Sequence, residues 1–408
     1  MRILISGGWG YGNLGDELIL SGTLAAVSKA FPGAECTILS YDPTMTKSEH
    51  GVSAVYSSHA ILGDSRINLP LSWISVISLL LSTRDTFRSK NKNIQILGDI
   101  FKSHGVFIQA GGGYFNDLWF TAFPSRVFEL LLAKKLGLKV GIVGQTLGPF
   151  RYQISRRLIH STLNLIDWIY VRDESSVTIL KELGLKRVSL CADTALLAPE
   201  VCLQRPGFVR QTGGLVLGAT LKQYSPWVSS GGRHSIQYSS GKFYLDVAEA
   251  LAVLAEELRC KVSLSPSTIY VGDYDACRIV ASLLQKMGID VDLRRPRGYR
   301  DLVDHIKGSS VYLSMNMHHL IAATAMGIPA IGISYHFKVN DFMKQTGQSN
   351  RTIGIQEPDI ITKLISIVRS CVRSLDSSIV SSLDAKGLET LRRMAFRPFE
   401  EISQRLGS

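Results

Sequence analysis

The stretch "RILISGGWGYGNLGDE", from Arg2 to Glu17, contains a short apolar run, a glycine-rich turn and the first residues of a helical pattern. This succession predicts a parallel β-strand, a loop and an α-helix, which together form the basic unit of an α/β sheet. The segment Gly10–Gly15 also matches the G-x-G-x-x-G spacing of dinucleotide-binding loops. A dinucleotide fold needs an acidic residue about 20 positions further on, whereas Asp42 follows Gly15 by 27 residues. The spacing alone is therefore weak evidence for a nucleotide.

The alternation of apolar runs with helical patterns continues along most of the chain. The strand-like runs are "CTILSY", "GVFIQAGGG", "KVGIVGQTLGP" and "IDWIYVRD", then "GLVLGATL", "KVSLSPS", "IDVDLRR", "SVYLSM" and "IPAIGIS". A segment rich in Gly and Pro, around Pro199–Gly214, interrupts them and predicts a domain boundary. We therefore expect an α/β protein with an N-terminal domain over 1–205, a C-terminal domain over 206–375 and a helical C-terminal segment over 376–408. Two Rossmann-like, doubly wound domains of this kind resemble the glycosyltransferase B architecture, in which ligands lie at the carboxyl ends of the strands.

The composition favours an intracellular enzyme with an anionic partner. The chain has 408 residues, of which 45% are hydrophobic, enough for two cores. Its net charge of +11 favours anionic partners, but the basic residues are scattered without an RNA-binding signature, so we expect no nucleic acid. The six cysteines lie far apart, without a C-x-x-C pair or metal-ligand spacing. This pattern predicts reduced thiols, a cytoplasmic location and no bound metal, and the absence of a signal-peptide pattern argues against secretion.

One segment raises the question of membrane contact. Leu69–Ser82, "LPLSWISVISLLLS", has no charged residue and precedes a basic run. Its 14 residues are too few for a transmembrane helix, which takes about 20. Two interpretations stay open: a buried helix followed by a solvated basic turn, or an interfacial anchor through residues 69–92 that holds the protein on the inner face of the plasma membrane.

Further motifs follow the opening stretch in a defined order. They are "QAGGGYFND" (Gln109–Asp117), "GQTLGPFR" (Gly144–Arg151), "VRDESSV" (Val171–Val177), "LCADTALLAP" (Leu190–Pro199) and "LSMNMHHLIAATAMGIPAIGISYHFKVNDFM" (Leu313–Met343). Together with "GYGNLGDE", this ordered set resembles the polysaccharide pyruvyl transferase family over roughly residues 1–345. The resemblance implies a fold similar to that of glycosyltransferases. It also implies transfer of a pyruvyl group from phosphoenolpyruvate, as a co-substrate and without another cofactor, to a sugar.

The same resemblance implies a donor site for a small trianion. His318 matches the histidine of the family's S-x-R-x-H pattern, and we expect it to be the general acid that protonates the enol carbon. Arg151 and Lys338 match donor-binding positions, although both could be ordinary surface residues. Lys222 stands where an arginine is common in the family and keeps the charge.

Asn316 is the main departure from the family pattern, because it stands where the family has an arginine and carries no charge. The donor site could be re-formed with a cation from His319, His336 or Arg233. Asn316 and His319 are therefore included among the expected donor-binding residues.

The opening loop is expected on the acceptor side, where aromatic faces suit sugar rings. Glu174 would face the acceptor or hold a cation, unless Arg172-Asp173 simply caps the strand and the following helix. Asp16 has a second interpretation as an acid that favours the helix dipole. The residues expected to bind the acceptor are Trp9, Tyr11, Asn13, Asp16 and Glu174.

The expected function is pyruvyl transfer to a hydroxyl pair of a saccharide, often lipid-linked in such pathways, during cell-wall or exopolysaccharide biosynthesis. One alternative is a sugar-nucleotide-dependent glycosyltransferase of the same architecture. Another is a non-catalytic saccharide-binding relative, which the uncharged Asn316 suggests.

Overall fold

The computed structural model describes most of the chain as two compact units. The described residues are 1–62, 92–117, 122–202, 214–223, 240–269, 271–335, 337–376 and 385–407. The first unit comprises Met1–Tyr11, Ile19–Leu197 and Arg392–Ser408, and the second comprises Gly12–Leu18 and Ala198–Leu391. The predicted boundary between residues 205 and 206 lies outside the described residues.

The first unit contains a parallel sheet built from near-continuous apolar runs, as expected for buried parallel strands. Within the described ranges it has seven strands in the order β3-β2-β1-β4-β5-β6-β7. The strands are β1 (Arg2–Ser6), β2 (Glu35–Ser40), β3 (Ser53–Tyr56), β4 (Val106–Ala110), β5 (Lys139–Gln145), β6 (Trp168–Val171) and β7 (Ser189–Leu190). The helices between them are α1 (Leu14–Ala30), α2 (Pro43–His50), α3 (Ser58–Leu62), α4 (Lys92–Lys102), α5 (Ala122–Lys135), α6 (Gln153–Leu165) and α7 (Glu174–Glu182).

The second unit repeats this design. Its sheet, in the part of the chain that is described, has six parallel strands in the order β10-β9-β8-β11-β12-β13. The strands are β8 (Val216–Thr220), β9 (Lys261–Leu264), β10 (Val291–Leu293), β11 (Val311–Ser314), β12 (Ala330–Ser334) and β13 (Thr352–Gly354). The remaining helices are α8 (Pro199–Cys202), α9 (Ser240–Leu258), α10 (Val271–Lys286), α11 (Tyr299–Lys307), α12 (Met317–Ala325), α13 (Phe337–Gln345), α14 (Ile360–Asp376) and α15 (Ala385–Gly407).

Both sheets reverse their winding beside their first strand, which is the mark of a doubly wound fold. In the first unit the reversal lies between β1 and β4, where Ser6 pairs with Gln109. In the second unit it lies between β8 and β11, where Thr220 pairs with Ser314. The predicted α/β fold class with two Rossmann-like domains is confirmed. Because ligands of such sheets bind at the carboxyl ends of the strands at the reversal, the residues that follow these four strands are the candidates for function.

Helix α5 lies in the core of the first unit. Every described side chain from Phe123 to Ala133 is buried, including Arg126 and Glu129, the two charged residues of this stretch. A helix that is buried on all sides is normally apolar throughout. The two charges therefore need partners inside the protein.

The end of α15 packs on the first unit. The Ser403 hydroxyl donates a hydrogen bond of 2.7 Å to the backbone carbonyl of Ala30 at the end of α1. The Tyr170 hydroxyl in β6 donates one of 2.5 Å to the Glu401 carboxylate. The last described residues of the chain thus complete the unit that its first residues begin.

Among the described residues, no helix is both long enough and apolar enough to cross a bilayer. The segment Leu69–Ser82 lies outside the described residues. Both interpretations of it stay predictions.

Candidate functional site

Basic side chains follow three adjacent strands of the second sheet. Lys222 comes two residues after β8, His318 lies in the first turn of α12 after β11, and Lys338 lies in the first turn of α13 after β12. The order β8-β11-β12 makes these strands neighbours, and the carboxyl ends of parallel strands share one edge of the sheet. The fold therefore brings three of the predicted donor-binding and catalytic residues to one edge, with Lys222 and His318 on the two sides of the reversal.

Asn316 and Gly15 hold His318 in place. Asn316 is the N-cap of α12, and its Oδ1 accepts a hydrogen bond of 3.0 Å from the backbone N–H of His318. The His318 side chain is 8% exposed and packs against Gly15, where an added Cβ would lie 2.6 Å from its Nδ1. An arginine at residue 316 could not cap the helix in this way, because its side chain has no acceptor. The departure from the family pattern thus has a structural role.

The segment Gly12–Leu18 groups with the second unit. The backbone N–H of Leu14 donates to the carbonyl of Ser267 at 3.2 Å, just after β9. The Asn13 Oδ1 accepts the backbone N–H of Gly15 at 3.1 Å. These bonds give Asn13 a structural role at the start of α1 and fix the position of Gly15.

Lys222 lies in a group of acidic and phenolic side chains. The pKa of its ammonium is held above its ordinary value chiefly by Tyr335, with which it shares a hydrogen bond, and also by the carboxylates of Asp273 and Asp16, while burial opposes this. Lys222 is therefore a cation at neutral pH. Asp16, predicted on the acceptor side, belongs to this group in the second unit.

His319 does not supply a cation. Its side chain is 0% exposed, and its Nδ1 lies 2.9 Å from the Thr220 Oγ1. Burial, with the nearby positive charges of His318 and Lys222, lowers its pKa well below the ordinary value. The expectation that His319 supplies the missing charge is therefore wrong, because the fold keeps it neutral. The other two candidates, Arg233 and His336, lie outside the described residues.

Arg151 and Glu174 lie in the first unit, and their side chains are exposed. The backbone N–H of Arg151 donates to the Asp117 Oδ2 at 2.7 Å. Glu174 begins α7, whose N-cap Asp173 accepts the backbone N–H of Ser176 at 2.8 Å. Asp173 therefore caps α7, as the capping interpretation of this motif expects. Neither Arg151 nor Glu174 lies in the unit that holds His318.

The two aromatic residues of the opening loop differ in exposure. Trp9 is 1% exposed and belongs to the hydrophobic core, where its ring occupies the space beside the Cα of Gly7. Tyr11 is 51% exposed and packs against Tyr41, with ring centroids 5.1 Å apart. The prediction that Trp9 faces a sugar is wrong, because the indole turns inward, whereas Tyr11 is open to a ligand.

A buried polar cluster at the reversal of the first sheet was missed by the sequence analysis. Arg126 and Glu129 form an ion pair of 3.2 Å with side chains at most 1% exposed. The Glu129 carboxylate also accepts hydrogen bonds from Ser6 at 2.6 Å and from Gln109 at 2.7 Å. The available signal was the pair of opposite charges three residues apart in "SRVFELLLA", an otherwise apolar helix.

Tyrosine side chains lie over this cluster. The Arg126 guanidinium lies 5.1 Å from the ring centroid of Tyr114 and 5.9 Å from that of Tyr41, within the range of cation–π attraction. Tyr114 follows β4, Tyr41 follows β2 and Tyr11 follows β1. We call Tyr11, Tyr41 and Tyr114 the tyrosine surface of the first unit.

Comparison with known proteins adds a family and a fold. A family model described as polysaccharide pyruvyl transferase matches residues 13–337. The amylovoran biosynthesis protein AmsJ of Erwinia amylovora is 22% identical over 401 residues, which cover 90% of this chain and 92% of that protein.

Solved structures similar to this chain include two epimerases. The UDP-GlcNAc 2-epimerase of Neisseria meningitidis, bound to UDP-GlcNAc, has a TM-score of 0.61 at 13% identity, with 99% of this chain and 100% of that chain covered. A putative UDP-N-acetylglucosamine 2-epimerase of Listeria monocytogenes has a TM-score of 0.65 at 11% identity, with 99% and 96% covered. At these identities the similarity concerns the fold.

Proposed function

The chain belongs to the polysaccharide pyruvyl transferase family, and from this premise we propose that it transfers a pyruvyl group from phosphoenolpyruvate to two hydroxyls of a saccharide. The products are a cyclic pyruvate ketal and inorganic phosphate. The name of the relative AmsJ supports a place in exopolysaccharide biosynthesis. A lipid-linked saccharide is the acceptor that we propose.

The observation that carries the donor proposal is the row of basic groups on three adjacent strand ends of the second sheet. Phosphoenolpyruvate is a small trianion, and charge-assisted hydrogen bonds contribute about 1.5 to 3 kcal/mol each. Lys222, His318 and Lys338 offer three such groups at the edge where doubly wound sheets bind ligands. Lys222 is charged at neutral pH and supports donor binding without the family arginine.

His318 is proposed as the general acid. Protonation of the enol carbon makes the neighbouring carbon electrophilic, and one sugar hydroxyl attacks it. Phosphate then leaves, and the second hydroxyl closes the ring. Of the two hydroxyl protons released, one replaces the proton that His318 gave to carbon and the other leaves with phosphate, so no net proton is taken up.

The tyrosine surface supports the acceptor half of the proposal. Tyr11 is half exposed and packs on Tyr41, and both lie at strand ends of the first sheet. Aromatic faces combine apolar area with an open π surface, which suits the face of a pyranose ring. Among the residues predicted to bind the acceptor, Tyr11 is the one whose side chain is both aromatic and accessible.

A donor titration tests the proposal. Phosphoenolpyruvate and a set of UDP-sugars are added separately while the melting temperature is followed, since a ligand that binds the folded state stabilises it. We expect phosphoenolpyruvate to protect the protein. Protection by a UDP-sugar alone would establish the glycosyltransferase alternative, and protection by neither donor would favour a saccharide-binding protein.

A turnover assay tests the role of His318. Phosphate release from phosphoenolpyruvate is measured with a panel of p-nitrophenyl hexopyranosides, and mass spectrometry detects the ketal. His318→Gln is expected to lower the rate by about 10²- to 10⁴-fold, the usual contribution of a general acid. His160→Gln in α6 of the first unit is the matched control and should retain the rate. Equal rates in His318→Gln and the wild type would overturn the mechanism.

A further inference from the structure

A row of polar groups, buried except at one end, crosses the second unit from α12 to the edge strand β10. Consecutive members lie within hydrogen-bond distance, at 2.9, 2.6, 3.2, 3.0 and 3.0 Å. In order, the members are His319, Thr220, Tyr312, His305, Ser263 and Asp292. Its two ends differ, because Asp292 is exposed and His319 is fully buried.

Asp292 sets the direction at its end of the row. Burial raises the pKa of its carboxyl, but the hydrogen bonds from Arg294 and Ser263 together lower the pKa by more than burial raises it. The pKa of Asp292 is therefore below the ordinary value. An ionised carboxylate accepts hydrogen bonds and donates none. The single hydroxyl proton of Ser263 therefore points to Asp292, and the Ser263 oxygen must accept from the Nε2 of His305.

His305 passes this direction on. Burial, together with the positive charge of Arg294, lowers its pKa to about 4, so it is neutral at physiological pH. A neutral imidazole that donates from Nε2 has a bare Nδ1, which must accept from the Tyr312 hydroxyl. With its proton used, Tyr312 accepts from the Thr220 hydroxyl, and Thr220 accepts from the Nδ1–H of His319.

The last step fixes the tautomer of His319. A neutral histidine with its proton on Nδ1 has a lone pair on Nε2. That Nε2 is buried and, within the described part of the chain, has no hydrogen-bond partner. Among the described residues, the titratable groups around it are His318 on its own helix, Lys222 after β8, Tyr312 in β11 and His305 in α11. Tyr335, Asp273 and Asp16 lie near Lys222.

We propose that this chain holds His319 as the Nδ1–H tautomer and that the lone pair on its Nε2 favours the protonated form of His318. The proton that the two adjacent histidines could share then resides on His318, the general acid. His319 is then a positioning residue. The tautomer does not depend on the reaction, whereas its use by His318 rests on the proposed function. The opposite tautomer would direct the positive end of an N–H dipole towards Lys222 and the protonated His318.

Nuclear magnetic resonance of the full chain labelled with ¹⁵N-histidine tests the tautomer directly. Long-range ¹H–¹⁵N spectra distinguish protonated from bare ring nitrogens, and His319→Gln and His305→Gln assign the signals. We expect His319 to carry its proton on Nδ1 and His305 on Nε2. The reverse tautomer at either residue would overturn the proposal.

Asp292→Asn tests what fixes the direction. An amide can donate to Ser263 as well as accept from it, so the row can then run either way, and we expect His319 to gain the Nε2–H tautomer. Asp290→Asn is the matched control, because Asp290 is an exposed acid two residues away that is no member of the row. An unchanged His319 tautomer in Asp292→Asn would show that Asp292 does not set the direction.

The pH profile tests the link to His318. A general acid must be protonated, so kcat/KM falls as pH rises through its pKa. In Asp292→Asn this alkaline limb should move to lower pH by about half a unit or more, whereas Asp290→Asn should match the wild type. If Asp292→Asn changes the tautomer of His319 but leaves the alkaline limb of kcat/KM where it is in the wild type, the proposed effect of His319 on His318 is wrong. Absence of turnover in the wild type would contradict the proposed function and leave the tautomer to the spectra.

Discussion

Gly15 lies against His318, so closely that a Cβ on Gly15 would come within 2.7 Å of the His318 Cβ and 2.6 Å of its Nδ1. The third glycine of the opening motif is thus required by a histidine side chain in the same unit. The close approach at Gly15 involves a side chain of this protein, so the glycine at this position is explained without a bound nucleotide.

Gly15→Ala should separate stability from activity. Overpacking costs about 1 to 3 kcal/mol, and alanine favours a helix over glycine by about 1 kcal/mol in the first turn of α1, so the net loss of stability should be small beside the loss of activity. The added methyl group must displace His318, and phosphate release should fall at least about tenfold, since small misplacements of catalytic groups are costly. Gly241→Ala is the matched control: Gly241 lies in the first turn of α9 with open space around it. Wild-type turnover in Gly15→Ala would show that His318 tolerates displacement.

The buried ion pair of α5 should behave as a unit. Arg126→Leu leaves the Glu129 carboxylate buried without its cation, and we expect a loss of about 3 to 5 kcal/mol in the free energy of unfolding. Arg126→Leu/Glu129→Leu removes both charges and should cost less than the single substitution. Urea unfolding at pH 7 measures both. A double variant less stable than Arg126→Leu would contradict this expectation. It would indicate that loss of the hydrogen bonds from Ser6 and Gln109 to the Glu129 carboxylate costs more stability than burial of that carboxylate without Arg126.

His305 should make the protein sensitive to acid. Its pKa of about 4 in the folded state lies below the ordinary value of 6.5, so the unfolded chain takes up a proton first and stability falls as pH drops from 6.5 towards 4. The difference between these two pKa values corresponds to a loss of about 3 kcal/mol in the free energy of unfolding once the pH is below 4.

His305→Gln should lower stability at pH 8, because its bonds to Tyr312 and Ser263 are lost, yet reduce the slope of unfolding free energy against pH between 6.5 and 4. Urea unfolding across this interval measures the slope. A slope equal to that of the wild type would contradict a neutral, buried His305.

The tyrosine surface should matter for the acceptor and not for the donor. An aromatic contact contributes about 0.5 to 1.5 kcal/mol beyond its buried area, so Tyr11→Leu should weaken saccharide binding roughly two- to tenfold. Saturation-transfer NMR with p-nitrophenyl hexopyranosides measures this, and thermal protection by phosphoenolpyruvate should not change. Tyr56→Leu is the control, since Tyr56 has similar exposure at the end of β3. Equal losses in both variants would remove the tyrosine surface from the acceptor site.

The strands that the sequence predicts are those with an apolar run long enough to stand out. β3, β7 and β13 were missed; each lies at an edge of its sheet, is two to four residues long and carries half-exposed positions. Such short strands complete a sheet that the longer ones define. Their formation depends on neighbours that are distant in sequence.

Site residues that come directly after a strand were predicted from the sequence. Residues whose position depends on side-chain packing were misplaced or missed. Lys222, His318 and Lys338 come after recognisable strands, so their common edge follows from the strand order. Trp9 was misjudged, because a glycine-rich turn leaves the direction of its side chain undetermined by pattern. The row from His319 to Asp292 could not be found, since each of its bonds joins different elements of the fold.

The packing of residues 392–407 on the first unit has a consequence for biosynthesis. Ser403 and Glu401 bond to Ala30 and Tyr170, so the ribosome must translate all of the second unit before the first can be completed. The nascent first sheet therefore waits with part of its surface uncovered while nearly two hundred residues emerge. A nonsense mutation just before the codon for Arg392 would remove this packing and so damage the half of the protein that is made first.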